Sequence, residues 1–164
     1  MTNSDADLAA IAARVAKMLI ARKQTIAVAE SSAGGLISAA LLAVPGASAY
    51  FLGGGVIYTL AAREGLLGVT AADMTNTRAS TEDYARLLAR KMRTKLGADW
   101  ALSETGATGP TGNRYGDSAG HACFGVSGSS EASRTLETGS PDRAANMRAF
   151  SCGALLLLEE ALGQ

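Results

Sequence analysis

The stretch that most constrains the fold is Thr25–Gly35, TIAVAESSAGG. It begins as a short apolar run, turns polar at Glu30, Ser31 and Ser32, and is followed by an apolar helical pattern over Leu36–Val44. A buried strand that passes through small residues into a helix directs backbone N–H groups out of the sheet's carboxyl edge, where they favour a phosphate or a developing oxyanion. Alternatively, Ser31 or Ser32 only caps the helix, the usual role of serine at such a position.

Size and charge narrow the class of protein. The chain has 164 residues, and we expect a single domain over residues 1–164. It is 48% hydrophobic but only 5% aromatic and contains 19 glycines, which is typical of close helix–sheet packing in an α/β protein. Fifteen basic residues balance fifteen acidic ones, and this neutrality argues against a nucleic-acid partner.

The N-terminal sequence and the spacing of the two cysteines predict the cellular compartment of the protein. No apolar run reaches the ~18 residues of a membrane span, and the amphipathic N-terminus is unlike a secretory signal. Cys123 and Cys152 have neither metal-ligand nor CxxC spacing. We therefore expect a cytoplasmic protein with buried reduced thiols, no metal site and no membrane partner.

Hydrophobic periodicity predicts alternating helices and strands. Helices are predicted over residues 4–22, 32–44, 60–67, 81–96 and 142–162, and strands over 25–30, 51–58, 99–103, 121–126 and 133–138. Ser4 or Asp5 is expected to cap the first helix. Ser80 with Asp83 resembles a capping box for the fourth helix. The last two strands read as an antiparallel hairpin.

This order implies a three-layer α/β/α sandwich around a mixed sheet of about five strands. A second run of small residues, 105–112, follows the third strand and continues as the polar loop Asn113–Gly120. Polar loops of about 15 residues in a compact domain are more often functional than accidental. We expect both small-residue turns at one sheet edge, holding a small phosphorylated or anionic ligand.

Several motifs, taken in order, resemble the C-terminal domain of the competence-damage-inducible CinA family. They are AESSAGG at 29–35, VPGASAYFLGG at 44–54, Tyr58, LLGV at 66–69, LGAD at 96–99, TGATGP at 105–110, Asp142 with Arg143, and Arg148. The similarity runs from about residue 5 to residue 162. Since the larger N-terminal domain of some members is missing, the chain resembles the stand-alone form.

The resemblance implies hydrolysis of the carboxamide of nicotinamide mononucleotide, with no cofactor, in a homo-oligomer. By position, Ser31 matches the family's nucleophile, Tyr58 its assisting tyrosine, and Arg63 the place of its catalytic lysine. The candidate substrate-binding residues are Glu30, Ser32, Gly34, Gly35, Thr105, Gly106, Gly109, Asn113, Arg114, Arg143 and Arg148. Backbone N–H groups of 32–35 or 106–109 are expected to stabilise the oxyanion.

Arg63 departs from the family in a way that matters chemically. A serine nucleophile needs a neighbour that takes its proton, and arginine stays protonated, so Arg63 cannot be the base. It could hold a phosphate or an oxyanion instead. The candidate bases are then Tyr58, if Arg63 ionises its phenol, and Glu30. The alternative function is a nucleotide-binding or accessory module that has lost catalysis.

The loop NRYGDSAGH is a second departure. The family has a lysine and a proline there, whereas this chain has Asp117 and then His121. Asn113, Arg114, Tyr115, Asp117 and His121 could face a ligand. The only histidine also allows a Ser31–His121–Asp117 triad, although a structural hydrogen-bonding role is the more frequent use of a lone histidine.

Overall fold

The computed structural model describes residues 3–164, with side chains from residue 7 onward. The helices are α1 (Asn3–Arg22), α2 (Leu36–Leu42), α3 (Leu60–Leu67), α4 (Glu82–Leu96) and α5 (Arg143–Gly163), with a 3₁₀ turn at Ala47–Ala49. The strands are β1 (Ile26–Glu30), β2 (Phe51–Val56), β3 (Trp100–Ala107), β4 (His121–Ser127) and β5 (Glu131–Glu137). The predicted caps Ser4 and Asp5 lie outside the described side chains.

The five strands form one mixed sheet in the order β2-β1-β3-β4-β5. β1 runs parallel to both β2 and β3, while β4 is antiparallel to β3 and β5 is antiparallel to β4. The carboxyl ends of β1 and β3 therefore lie side by side, and the two chain segments that leave them start at the same sheet edge. This confirms the expected mixed sheet and its late hairpin.

Helices cover both faces of the sheet, which gives the predicted three layers. On one face, α1, α2 and α5 pack on the larger core, which includes Trp100, Phe124 and Phe150. On the other face, α3 and α4 pack on a smaller core around Tyr84, Leu88 and Met92. Both sides of β1 and β3 are buried, as in a doubly covered α/β sheet.

Several boundaries differ from the prediction, and three of these differences have a direct structural cause. α2 begins at Leu36 and not at residue 32, because Gly34 and Gly35 have left-handed φ values of 68° and 101° that a helix cannot include. β3 continues to Ala107 because it pairs with β4 along that length. The cap of α4 is Thr81, whose hydroxyl accepts from the Tyr84 N–H at 3.2 Å, and not Ser80.

Two further expectations concern thiols and membranes. Cys123 is buried as predicted, whereas Cys152 is only half-buried, and the two do not form a disulfide bond. Within residues 3–164, no helix combines the length and the hydrophobicity that a membrane crossing requires.

Candidate functional site

A cavity of about 390 Å³ opens at the carboxyl ends of β1 and β3. Ser31 lines it from the turn after β1, and Thr105 and Gly106 line it from β3. The remaining wall consists of Tyr58, Thr59, Leu60, Arg63, Ala79, Ser80, Tyr84, Asn113, Arg114 and Tyr115. The volume falls in the range of about 300–1,000 Å³ that is common for small-molecule sites. The two segments expected to meet at one edge do share a cavity.

The turn that carries Ser31 is held from inside by Glu104 of β3. The Glu104 carboxylate accepts hydrogen bonds from the N–H groups of Ser31 at 3.0 Å and Ala33 at 2.7 Å, and from the Ser32 hydroxyl. Glu104 is fully buried, and burial raises the pKa of its carboxyl above the ordinary value, with the nearby Glu30 charge adding to the shift. Glu104 was not among the residues predicted to belong to the site.

Glu30 has a structural role that excludes it as base or ligand. Its buried carboxylate accepts from the N–H groups of Gly35 at 2.9 Å, Ile37 at 3.0 Å and Ser38 at 2.8 Å. These are N–H groups of the first turn of α2, which lack partners inside the helix. Glu30 therefore acts as a cap supplied by the preceding strand.

The same contacts use most of the N–H groups of residues 32–35, which were expected to form an oxyanion hole. The N–H of Ala33 is bonded to Glu104, that of Gly34 to the Ser31 carbonyl at 3.1 Å, and that of Gly35 to Glu30. Three of the four expected donors thus point at protein acceptors. Gly34 and Gly35 shape the turn and do not line the cavity.

A smaller cavity of about 230 Å³ continues from the first, and the two share Tyr58, Gly106 and Asn113. It is lined by Ser32, Tyr58, Gly106, Ala107, Thr108, Gly109, Thr111, Gly112, Asn113 and Arg143. The Arg143 guanidinium donates to the Gly109 carbonyl at 2.9 Å and to the Tyr58 hydroxyl at 3.3 Å. The cation that donates to the Tyr58 hydroxyl is thus Arg143, whereas the sequence-based expectation gave that place to Arg63.

Arg63 lines the larger cavity with an unsatisfied donor. Its guanidinium carbon lies 6.0 Å from the centroid of the Tyr84 ring. Its Nε is buried and has no hydrogen-bond partner among the described residues. Buried donors are normally paired, so this N–H is an exception in a residue that also lines the cavity.

The polar loop forms a wall of the larger cavity. Asp117 forms a bidentate ion pair with Arg78, at 2.7 and 2.9 Å, and accepts from the Asn113 side chain at 2.8 Å. Tyr115 lies within cation–π distance of both Arg78 and Arg114, at 5.6 and 5.0 Å from its ring centroid. Asn113 and Asp117 therefore fix the loop, while Arg114 and Tyr115 face the cavity.

His121 does not form the triad. One ring nitrogen contacts the Glu137 carboxylate and the other lies 2.9 Å from the Ser80 carbonyl. The nearest Asp117 oxygen is 4.0 Å away. Since both nitrogens are engaged away from Ser31, the histidine is a structural hydrogen-bonding residue.

The last predicted site residue, Arg148, lines neither cavity. It lies half-buried on α5, and its guanidinium donates to the Ala144 carbonyl one turn earlier. Conversely, Tyr84, Ser80 and Thr108 line the cavities although none of them was among the predicted site residues.

Known proteins resemble the whole chain. The model of the CinA C-terminal domain matches residues 8–162. A CinA-like protein of Chlorobium limicola is 38% identical over 158 residues, and one of Synechococcus is 39% identical over 118 residues. These alignments cover 91% and 72% of this chain but only 37% and 28% of the relatives, so the chain spans about a third of their length.

Solved structures agree with the sequence comparison. A CinA superfamily protein from Klebsiella pneumoniae superposes with a TM-score of 0.88 at 28% identity, covering 95% of this chain and 98% of its own. A competence/damage-inducible protein from Agrobacterium tumefaciens gives 0.88 at 28% identity and covers 96% of each chain. With a family model that spans nearly every residue and the same fold in these proteins, the chain belongs to the CinA family and corresponds to its C-terminal domain.

Proposed function

We propose that the protein is an amidohydrolase that converts nicotinamide mononucleotide into nicotinic acid mononucleotide and ammonia, with Ser31 as nucleophile. The observation that carries the proposal is the position of Ser31 on the wall of a cavity that also presents Tyr58, Arg63 and Arg114. A phosphorylated substrate matches the cationic side chains of this wall, and membership in the CinA family supports the reaction class.

In the proposed reaction, the Ser31 oxygen attacks the carboxamide carbon and forms a tetrahedral intermediate. Collapse of this intermediate breaks the C–N bond, and the nitrogen leaves as ammonia after it receives a proton. Water then hydrolyses the serine ester, which releases the carboxylic acid and restores the hydroxyl. The sum is one substrate and one water in, one acid and one ammonia out.

Arg63 serves as a donor to negative charge. Because a guanidinium keeps its proton, Arg63 cannot accept the proton of Ser31. Its guanidinium group belongs to the cavity wall and suits either the substrate phosphate or the developing oxyanion. A donor to the oxyanion contributes roughly 3–4 kcal/mol to catalysis. Since the N–H groups of Ala33, Gly34 and Gly35 already have protein acceptors, a side chain such as Arg63 can donate where these three amides do not.

Tyr58 is the residue that we assign to proton transfer. It lines both cavities, and a phenol oxygen can donate and accept. Its hydroxyl already accepts from Arg143 at 3.3 Å. With Glu30 excluded, Tyr58 is the candidate base of the sequence analysis that still faces the cavity.

The test is ammonia release from nicotinamide mononucleotide by the purified protein. We expect Ser31→Ala to abolish release and Tyr58→Phe to lower kcat by about 10²-fold or more, since general acid–base catalysis contributes on the order of 10²–10⁴. Ser129→Ala, an exposed serine of the β4–β5 turn, is the control and should retain full activity. Unchanged activity of Ser31→Ala contradicts the proposal.

A second candidate function is a nucleotide-binding module without catalysis, favoured by Arg63 in the position of the family's lysine. It predicts that nicotinamide mononucleotide raises the Tm of the wild type while no ammonia forms. Arg63→Lys separates the two. Activity that appears only in this variant identifies a binding module that has lost its base. The homo-oligomer stays a prediction, which light scattering on the purified protein tests.

A further inference from the structure

Glu104 lies directly behind the nucleophile and has no task in the proposed chemistry. One oxygen of its carboxylate accepts from the N–H groups of both Ser31 and Ala33, at 3.0 and 2.7 Å. The other oxygen accepts from the Ser32 hydroxyl. A single side chain on β3 thus binds three consecutive residues of the turn after β1.

A carboxylate is a costly group in this location. Glu104 is fully buried, and Glu30 places a second carboxylate close to it. Transfer of a charged group out of water is unfavourable unless hydrogen bonds compensate it. The three donors supply that compensation, and in return the carboxylate satisfies two backbone N–H groups that would otherwise be buried without partners.

We propose that Glu104 is a positioning residue that holds residues 31–33 so that Ser31 stays at the cavity wall. The inference rests on the proposed function, in which Ser31 is the nucleophile. Glu104 acts through the turn and does not itself exchange a proton with the substrate. Misplacement of a reacting group by about 1 Å can lower a rate on the order of 10²-fold, so the position of this turn matters for kcat.

Two conservative variants separate position from charge. Glu104→Gln keeps the length and one acceptor oxygen, which can bind the N–H groups of Ser31 and Ala33 while its NH₂ donates to the Ser32 oxygen. Glu104→Asp keeps the charge but is one methylene shorter, so its carboxylate cannot reach the same three donors. Neither side chain needs more volume than Glu104 occupies.

Ammonia release from nicotinamide mononucleotide is the first readout. We expect Glu104→Gln to keep kcat within about fivefold of the wild type, with an unchanged pH profile. Glu104→Asp should lower kcat by about tenfold or more while KM stays within about threefold, because the substrate contacts remain. The reverse order, an inactive Gln variant and an active Asp variant, overturns the proposal, since it assigns the role to the charge.

Amide hydrogen exchange of Ser31 and Ala33, followed by NMR, is the second readout and needs no activity. Glu104→Asp should accelerate both amides by about tenfold or more, and Glu104→Gln should leave both slow. Ser103→Ala is the matched control, because it removes a buried hydroxyl of the same strand that bonds the Ala85 carbonyl. It should leave both amides unchanged.

Ammonia release tests the proposed function, and amide hydrogen exchange tests the role of Glu104 independently of it. If the wild type releases no ammonia, the proposed function fails, and exchange alone decides the role of Glu104. Slow exchange of both amides in Glu104→Asp overturns the positioning role whatever the activity.

Discussion

Glu30 stabilises the fold at the start of α2. It ends β1, and its buried carboxylate accepts three N–H groups from the turn and first residues of the helix. The first N–H groups of a helix also carry the positive end of its dipole, which favours a negative charge there. The polar residue that precedes Ser31 therefore makes the strand–turn–helix unit rigid, and does not take part in proton transfer.

Removal of this cap has a predictable cost. We expect Glu30→Ala to lower the free energy of unfolding by about 3 kcal/mol or more, because one buried and two partly buried N–H groups lose a charged acceptor. Glu30→Gln, which keeps one acceptor oxygen, should cost about 1–2 kcal/mol. Urea unfolding measures both. Glu64→Ala, an exposed carboxylate on α3, is the control, and an equal loss in that variant contradicts the capping role.

At the scale of elements, the sequence predicts what local patterns determine. The bounds of α3, Leu60–Leu67, were predicted to the residue, since Thr59 caps its start and Gly68 ends it. The length of β3 was not, because pairing with β4 extends it beyond Ser103. Glu104 was missed for the same reason: within a strand it resembles an ordinary polar residue, and its three donors come from a turn more than 70 positions earlier.

The residues of the candidate site likewise include some that local sequence patterns predict and others that they do not. Ser31, Tyr58 and Arg63 could be located because motif positions carry them to the carboxyl edge of the sheet. Whether a polar side chain faces the cavity or the interior depends on tertiary contacts, and so Glu30 was misassigned. The cation beside Tyr58 also could not be predicted, since Arg143 reaches it from the start of α5.

His121 of β4 contacts Glu137 of β5 and the Ser80 carbonyl in the segment before α4. These contacts should make the stability of the fold depend on pH. Burial by itself lowers the pKa of His121, but the hydrogen bonds to Glu137 of β5 and to the Ser80 carbonyl, with Asp117 nearby, outweigh it and raise the pKa. A raised pKa in the folded state gives a stabilisation that is complete below the unfolded pKa of about 6.5 and is lost as pH rises through the folded value. Cys123, 3.6 Å from the ring, has a pKa raised by burial.

We therefore expect Tm to decrease as the pH rises from about 6 to about 8, through loss of the His121 charge. In His121→Gln, which can still donate to the Ser80 carbonyl, that decrease should be smaller. Differential scanning calorimetry at several pH values measures both profiles. If the two proteins show the same slope, the His121–Glu137 pair does not contribute.

For the whole molecule, the three layers depend on close approach of helices to β4. A Cβ on Gly125 would lie 2.5 Å from the backbone of Ala85 in α4, and one on Gly153 of α5 would lie 2.7 Å from the Phe124 ring. Glycines thus permit both helical layers to contact the same strand from opposite faces. This explains why a chain with so few aromatic residues still fills its core.

The packing at β4 gives a prediction with an internal control. Gly125→Ala places a methyl group against the α4 backbone, which cannot move as a flexible side chain would, so we expect a loss of about 2–3 kcal/mol, the upper part of the range for overpacking. Gly65→Ala lies inside α3 with nothing within 4 Å, and should stabilise the protein by about 0.5–1 kcal/mol through helix propensity. Chemical denaturation of both variants measures the difference. Since alanine is favoured over glycine inside both helices and strands, a loss in Gly125→Ala must come from its contact with α4, and a neutral Gly125→Ala would mean that this layer is looser than the structure indicates.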